Sequence, residues 1–134
     1  MLPKTIENEV IEGKPGHTLT LHATEYIDCT FKSCDFSFGD LRKIQFQDCV
    51  FNSCNMSSVI IQQTGFKNVK FVDSKMLGLR FDTCNTFLLE MQFENCQLNM
   101  SLFFGLNLKE IRFINCDLEN VDFAEADLTN ACFT

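Results

Sequence analysis

Eight cysteines and two histidines carry most of the reactive chemistry in this 134-residue chain. They could hold a metal, form disulfides or act as nucleophiles, and their spacing decides among these. Cys29 and Cys34 stand five residues apart, as do Cys49 and Cys54, unlike the C-x-x-C knuckle of zinc sites. His17 and His22 both lie upstream of every cysteine. No Cys/His, Ser/His/Asp or paired-carboxylate set can be assembled with them at a workable spacing, and no glycine-rich phosphate loop is present. The chain is therefore not expected to be an enzyme, nor to bind a metal or cofactor.

The element that positions the cysteines is a five-residue beat. From Phe31 every fifth residue is large and apolar: Phe36, Leu41, Phe46, Phe51, Met56, Ile61, Phe66, Phe71, Met76 and Phe81. The beat slips by two residues near 85–88 and resumes at Leu88, running through Phe93, Leu98, Phe103, Leu108, Phe113, Leu118, Phe123, Leu128 and Phe133. Twelve of the 15 phenylalanines fall on it. Neither a helix, with period 3.6, nor a free strand, with period 2, gives this pattern, so the chain is a repeat architecture. A second beat runs two residues ahead and holds seven cysteines: Cys29, Cys34, Cys49, Cys54, Cys84, Cys96 and Cys116. Each unit thus reads small-or-apolar, polar, large apolar, polar, polar, as in Ala126-Asp127-Leu128-Thr129-Asn130.

These units resemble the pentapeptide-repeat family, whose unit is written A-(D/N)-L-x-x, over roughly residues 29–133. The resemblance implies an all-β fold, a right-handed quadrilateral parallel β-helix with four pentads per coil. Four pentads stack residue n on n+20, which the sequence tests independently. One column reads Phe31, Phe51, Phe71, Phe93, Phe113, Phe133, and a second reads Phe36, Met56, Met76, Leu98, Leu118. A third reads Leu41, Ile61, Phe81, Phe103, Phe123, and the fourth reads Phe46, Phe66, Leu88, Leu108, Leu128. Like stacks on like. Cysteine at the small inner position is then a buried small hydrophobe. Cys34, Cys54, Cys96 and Cys116 are expected to be buried and unliganded, and Cys132, one step off the beat, to face outward and react. Residues 1–18, with Ile6, Val10, Ile11 and a Pro15-Gly16 turn, are expected to form an N-terminal cap, and 19–134 the helix proper.

The formal charge of −7 is unevenly spread: −3 over residues 1–28, +1 over 29–112 and −5 over 113–134. The last segment holds Asp117, Glu119, Asp122, Glu125 and Asp127 with no base. Direct binding to nucleic acid is disfavoured, because phosphate contacts need a basic face. No apolar run reaches the ~18 residues of a membrane span, and the first residues show no apolar signal core. A cytoplasmic protein is expected, in a reducing compartment that keeps its thiols free.

Apolar residues at outward positions are the informative exceptions. Leu102 and Phe104 flank the inward Phe103, Met100 precedes them at a corner, and Phe87 and Leu89 flank the slip. Together they are expected to form one mid-rod patch for a protein partner, or else to be covered by the bulge itself. The Phe- and Cys-rich style of repeat, as in Phe113-Ile114-Asn115-Cys116-Asp117-Leu118, resembles the Qnr-like and microcin-immunity branch of the family. That branch implies a partial DNA mimic binding DNA gyrase or topoisomerase IV and giving quinolone or toxin protection. About 5.5 coils make a rod on the order of 26 Å long, and B-DNA of that length carries about 15 charges, twice what this chain has. The other reading is a structural scaffold that uses the apolar patch. A homodimer through the C-terminal coil is also expected, covering Leu118, Phe123, Leu128 and Phe133.

Overall fold

The computed structural model describes residues 4–134. Its strands are β1 (Thr5–Glu7), β2 (Val10–Glu12), β3 (Glu25–Ile27), β4 (Thr30–Lys32), β5 (Gln45–Gln47), β6 (Val50–Asn52), β7 (Gly65–Lys67), β8 (Val69–Val72), β9 (Met91–Glu94), β10 (Arg112–Ile114) and β11 (Cys132–Phe133). All the strand pairs are parallel. A seven-stranded sheet, β11-β10-β9-β8-β6-β4-β2, forms face 1 of a square coil, and a four-stranded sheet, β1-β3-β5-β7, forms face 4. Faces 2 and 3 are laddered by single bridges, such as Asp35–Asn55–Lys75–Gln97–Asp117 and Arg80–Leu102–Asp122. Phe31 pairs with Phe51 and Phe51 with Phe71, and across the slip Phe71 pairs with Phe93. The chain is the right-handed quadrilateral β-helix.

The pentad follows from how each corner is made. A short extended segment carries the inward residue at its centre. Two residues later the backbone turns through a left-handed conformation, with φ of 51° at Asp73 and 66° at Lys43. At many corners, though not at those after the face 1 centres, the next N–H donates back to the carbonyl of the centre, as from Ile44 to Leu41 (3.2 Å), Val59 to Met56 (3.2 Å) and Ser101 to Leu98 (3.0 Å). This is a β-turn with a left-handed third residue, the position that favours Gly, Asn and Asp. Other N–H groups bond to the adjacent rung, so the ladder continues between strands. Asn55 N–H reaches the Cys34 carbonyl at 3.0 Å, and Lys75 N–H reaches Cys54 at 3.0 Å.

The core is the stack of centres. Every phenylalanine on the beat from Phe31 to Phe113 is buried. On face 1 successive rings stack at centroid distances of 4.7, 5.1, 5.1, 5.4 and 5.3 Å from Phe31 to Phe133. Rings on adjoining faces meet edge-on, as with Phe31 and Phe46 at 83° and Phe103 and Phe113 at 86°. Both arrangements suit the aromatic quadrupole.

The structure corrects two features of the sequence reading. Phase is kept through Thr86, whose carbonyl accepts the turn hydrogen bond from Leu89 N–H at 3.3 Å. Leu88, with φ of 53°, is therefore a corner residue and is 65% exposed. It is not the inward member of the fourth column; Leu89 packs against the core instead. The two extra residues enter after that corner, where Glu90 N–H takes the Phe66 carbonyl at 2.9 Å. At the other end, residues 5–12 are not set apart from the helix. Ile6 pairs with Tyr26 and Ile11 with Phe31 in the 20-residue register, so this segment supplies two faces of the first coil. The Pro15-Gly16 turn closes with a bond from His17 N–H to the Lys14 carbonyl. Beyond it Leu19 N–H reaches the Asp35 carbonyl in a shorter register, and the 20-residue register returns at Glu25.

Phe71 has a ring above and below it, Phe51 and Phe93, each at 5.1 Å. Phe71→Ala should cost about 3–5 kcal/mol in urea unfolding. A loss under about 1 kcal/mol would mean that the stack collapses to fill the gap and is not a rigid column.

Candidate protein-binding surface

The thiols are part of the wall. At the small inner position, cysteine, serine and threonine each donate to a carbonyl of the coil below. Cys54 Sγ reaches the Phe31 carbonyl at 3.3 Å, Cys96 Sγ reaches Phe71 at 3.3 Å, Ser101 Oγ reaches Met76 at 3.0 Å and Thr64 Oγ1 reaches Leu41 at 2.7 Å. Where the position holds a small polar residue its donor is thus satisfied, and elsewhere it holds apolar groups such as Ile44, Val59 and Leu79. All eight thiols are free. Burial pushes Cys49 up to about 11 and Cys84 up to about 12. Cys34, Cys54 and Cys96 are buried as expected, but Cys116 is only half-buried. A hydrogen bond from the Cys96 thiol holds Cys116 down at about 7, and the same contact together with burial pushes Cys96 up. Cys132, on the edge strand β11, is half-buried rather than fully outward. No group of three or more His, Cys, Asp or Glu side chains suited to a metal ion occurs among the described residues.

The acidic residues of the last coil lie around the rod, not along it. Asp117 and Glu119 stand on face 2, Asp122 on face 3, Glu125 at the next corner and Asp127 on face 4. Three of them also shape the backbone. Asp117 Oδ1 accepts from Glu119 N–H (3.1 Å), Asp122 Oδ1 from Ala124 N–H (2.8 Å) and Asp127 Oδ1 from Thr129 N–H (3.0 Å). The Asn99 side chain holds the Asp117 carboxyl below the usual range, and the Thr129 hydroxyl does the same for Asp127. Lys109 sits 3.6 Å from Asp127 and offsets part of the charge.

The three phenylalanines off the beat, Phe38, Phe87 and Phe104, are all exposed. The expected patch divides between two faces. Met100, Leu102 and Phe104 run continuously over the corner between faces 2 and 3 and onto face 3, with Met100 and Phe104 exposed and Leu102 half-buried. Phe104 stands one rung above Asp82 in the register. Asp82 Oδ2 accepts from Arg80 at 2.8 Å, and its Oδ1 is buried without a hydrogen-bond partner. Phe87 and Leu89 belong to face 4, beyond the corner at Thr83 and Gly105. There Lys67 Nζ lies 5.5 Å from the Phe87 ring centroid. The four-stranded sheet stops at β7 on that face, and a groove of about 660 Å³ opens beside the bulge among Lys67, Asn68, Leu88, Leu89, Glu90 and Asn107. The bulge therefore leaves Phe104 uncovered. The residue missed from sequence is Phe38, 80% exposed, on the same corner column as Met100. Its signal was available: it is one of only three phenylalanines out of phase.

The sequence profile described as a pentapeptide repeat region matches residues 44–123. The chain belongs to the pentapeptide-repeat family. Among solved structures, the full-length plasmid-mediated fluoroquinolone resistance protein QnrB1 aligns at 18% identity, covering 97% of this chain and 77% of that one, with a TM-score of 0.54. The pentapeptide repeat protein Rfr23 from the cyanobacterium Cyanothece 51142 aligns at 11% identity over 98% of this chain and 88% of its own, with a TM-score of 0.35. At 18% identity the likeness to QnrB1 concerns the fold alone. No curated protein matches the sequence significantly. Against the pentapeptide repeat, Asp117, Asp122 and Asp127 sit where the pattern asks for Asp or Asn, whereas Phe38, Met100, Leu102 and Phe104 depart from its polar outward positions.

Alkylation separates the thiols. With iodoacetamide, Cys116 and Cys132 should be modified before the six buried cysteines. The Cys116 rate should climb as pH rises through about 7, because the thiolate is the nucleophile. Early modification of Cys54 or Cys96 in peptide mass spectra would mean that the column is open to solvent.

Proposed function

We propose that this pentapeptide-repeat rod is a non-catalytic protein-binding module that holds its partner on face 3 and the corner before it. The observation that carries this reading is the contiguous run Met100, Leu102, Phe104 at outward positions. Burying side chains of this kind on binding contributes roughly 1.5–3 kcal/mol each. Apolar clusters of this sort on soluble proteins usually mark contact sites. Among the described residues no helix is long and apolar enough to cross a membrane.

The leading specific partner is a type II topoisomerase, DNA gyrase or topoisomerase IV, with quinolone or toxin protection as the outcome. Fold likeness to a fluoroquinolone resistance protein along nearly the whole chain supports it. Charge mimicry of DNA contributes little to this reading, because the acids encircle one coil and do not line the axis. A homodimer through the last coil belongs to the same proposal. Leu118, Phe123 and Leu128 are half-buried there and Phe133 is 50% exposed. A second copy would cover them and join two acidic rings at one waist.

Two experiments test these statements. In a gyrase supercoiling assay, the protein should relieve ciprofloxacin inhibition or slow supercoiling itself, and a Leu102→Asn/Phe104→Ser variant should lose the effect. No effect of the wild type at concentrations on the order of tens of micromolar would remove topoisomerase from the reading. In sedimentation, the dimer should tighten as salt screens the acidic rings. A monomer at all salt concentrations would dismiss the end-to-end contact.

A further inference from the structure

We propose that the recess between Phe38 and Met100 is a docking notch for a protein segment that presents one large apolar side chain next to a carboxylate. The proposal deepens the protein-binding reading and rests on it. It begins with two residues that the fold does not ask for. Corner positions adopt left-handed φ, which disfavours bulky side chains and suits Asn, Asp, Ser and Gly. Among the described residues, the non-glycine left-handed positions are polar except at Phe38 (φ 57°), Leu88 (φ 53°) and Met100 (φ 64°). Two of these three share one corner column. Phe38 N–H donates to Ser57, Ser58 N–H to Leu77 and Gly78 N–H to Asn99, which fixes the order Phe38, Ser58, Gly78, Met100 up the rod.

Two small residues between two large ones make the notch. Three rungs separate the jaws, about 14 Å at the usual strand spacing. At Gly78 a Cβ would meet nothing within 4 Å, so the glycine opens space and leaves no packed neighbour. The recess holds about 380 Å³, with half-buried Leu77 on its floor and Ser57 and Ser58 on its wall. Leu77 N–H is already bonded to Ser57 Oγ at 3.2 Å. The neighbouring face 2 ladder is unbroken from Asp35 to Asp117, so no free strand edge is offered for sheet extension. What fits is an inserted side chain. Lys75 supplies the second requirement: it lines the recess and forms no ion pair among the described residues. A single cation beside an apolar cleft selects a carboxylate on the incoming segment, and is far too little charge for nucleic acid.

The test pans a library of random peptides, roughly twelve residues long, against the wild type and against Phe38→Ser, Met100→Asn and Lys75→Glu. Serine and asparagine already stand at other corners with the same φ, as at Ser33 and Asn120. These variants should therefore keep or raise the wild-type melting temperature. Peptides with Phe, Leu or Met adjoining Asp or Glu should be enriched on the wild type. Their affinity should drop about tenfold or more on Phe38→Ser and on Met100→Asn, the loss expected of a buried anchor. Lys75→Glu should remove the preference for the acid. No enrichment, enrichment indifferent to all three substitutions, or a lowered melting temperature for Phe38→Ser overturns the proposal. So does a concentration-dependent dimer that Phe38→Ser abolishes, since the occupant would then be another copy of the chain. Peptides that depend on Leu102 and Phe104 but not on Phe38 also overturn it, while the face 3 reading stands.

Discussion

The structure depends on turning the chain through roughly a right angle every five residues without losing the hydrogen bonds between coils. From Asp28 on a left-handed residue makes every turn but the 3-10 turn at Phe81–Thr83, at about 1–2 kcal/mol for any residue other than glycine. The ladder makes that conformation tolerable, because the turn residue's own N–H is bonded to the next coil, as Ser53 N–H is to Val72 at 2.9 Å. The turn is also braced from the residue before the centre. Asp35, Asn55, Asn85, Asn107, Asp117, Asp122 and Asp127 accept from the N–H two positions on, across the centre. Much of the chain's aspartate is thus placed by backbone geometry. Its acidity is therefore weak evidence for any resemblance to a nucleic acid.

The period made the fold legible before any coordinates. Twenty-residue stacking, the identity of the columns and the burial of Phe31, Phe51, Phe71, Phe93 and Phe113 all follow from counting, since a solenoid converts sequence distance directly into space. Counting fails where the count changes. Two residues inserted near position 88 could enter before or after a corner with the same downstream phase. The choice was made by the turn hydrogen bond from Leu89 to Thr86, which no periodicity encodes. Leu88 and Leu89 consequently exchanged roles. The first coil was hidden for a related reason. Its centres Ile6 and Ile11 are only two pentads long, and the displaced register at Leu19 then masks their link to Tyr26 and Phe31.

The candidate surface was read in part. Met100, Leu102 and Phe104 were visible as apolar residues out of phase, and the same logic applied to Phe38 would have found it. What sequence could not supply was adjacency. Phe87 is 17 positions from Phe104, close to one coil, yet a corner places them on different faces. Phe38 and Met100 are 62 positions apart and share a corner column. The cysteines show the same limit. Size predicted burial correctly for Cys34, Cys54 and Cys96, but the carbonyl each thiol reaches lies 23 to 25 residues earlier, in the coil below.

A solenoid separates the residues that hold it together from those free to act. Each coil packs chiefly on its two neighbours, so stability is a sum of local terms. The centres and the small inner positions supply these terms, and they cannot vary without opening the stack. The outward and corner side chains contribute little to it: Phe38 could be serine, as Ser58 is one rung above, and the ladder would be unchanged. Selection for folding alone would leave such positions polar, because an exposed aromatic ring on a left-handed turn is unfavourable for both backbone and solvent. Where the chain nonetheless keeps large apolar groups there, at Phe38, Met100, Leu102 and Phe104, folding does not explain them. The proposed binding role would give them a use, on one side of the rod.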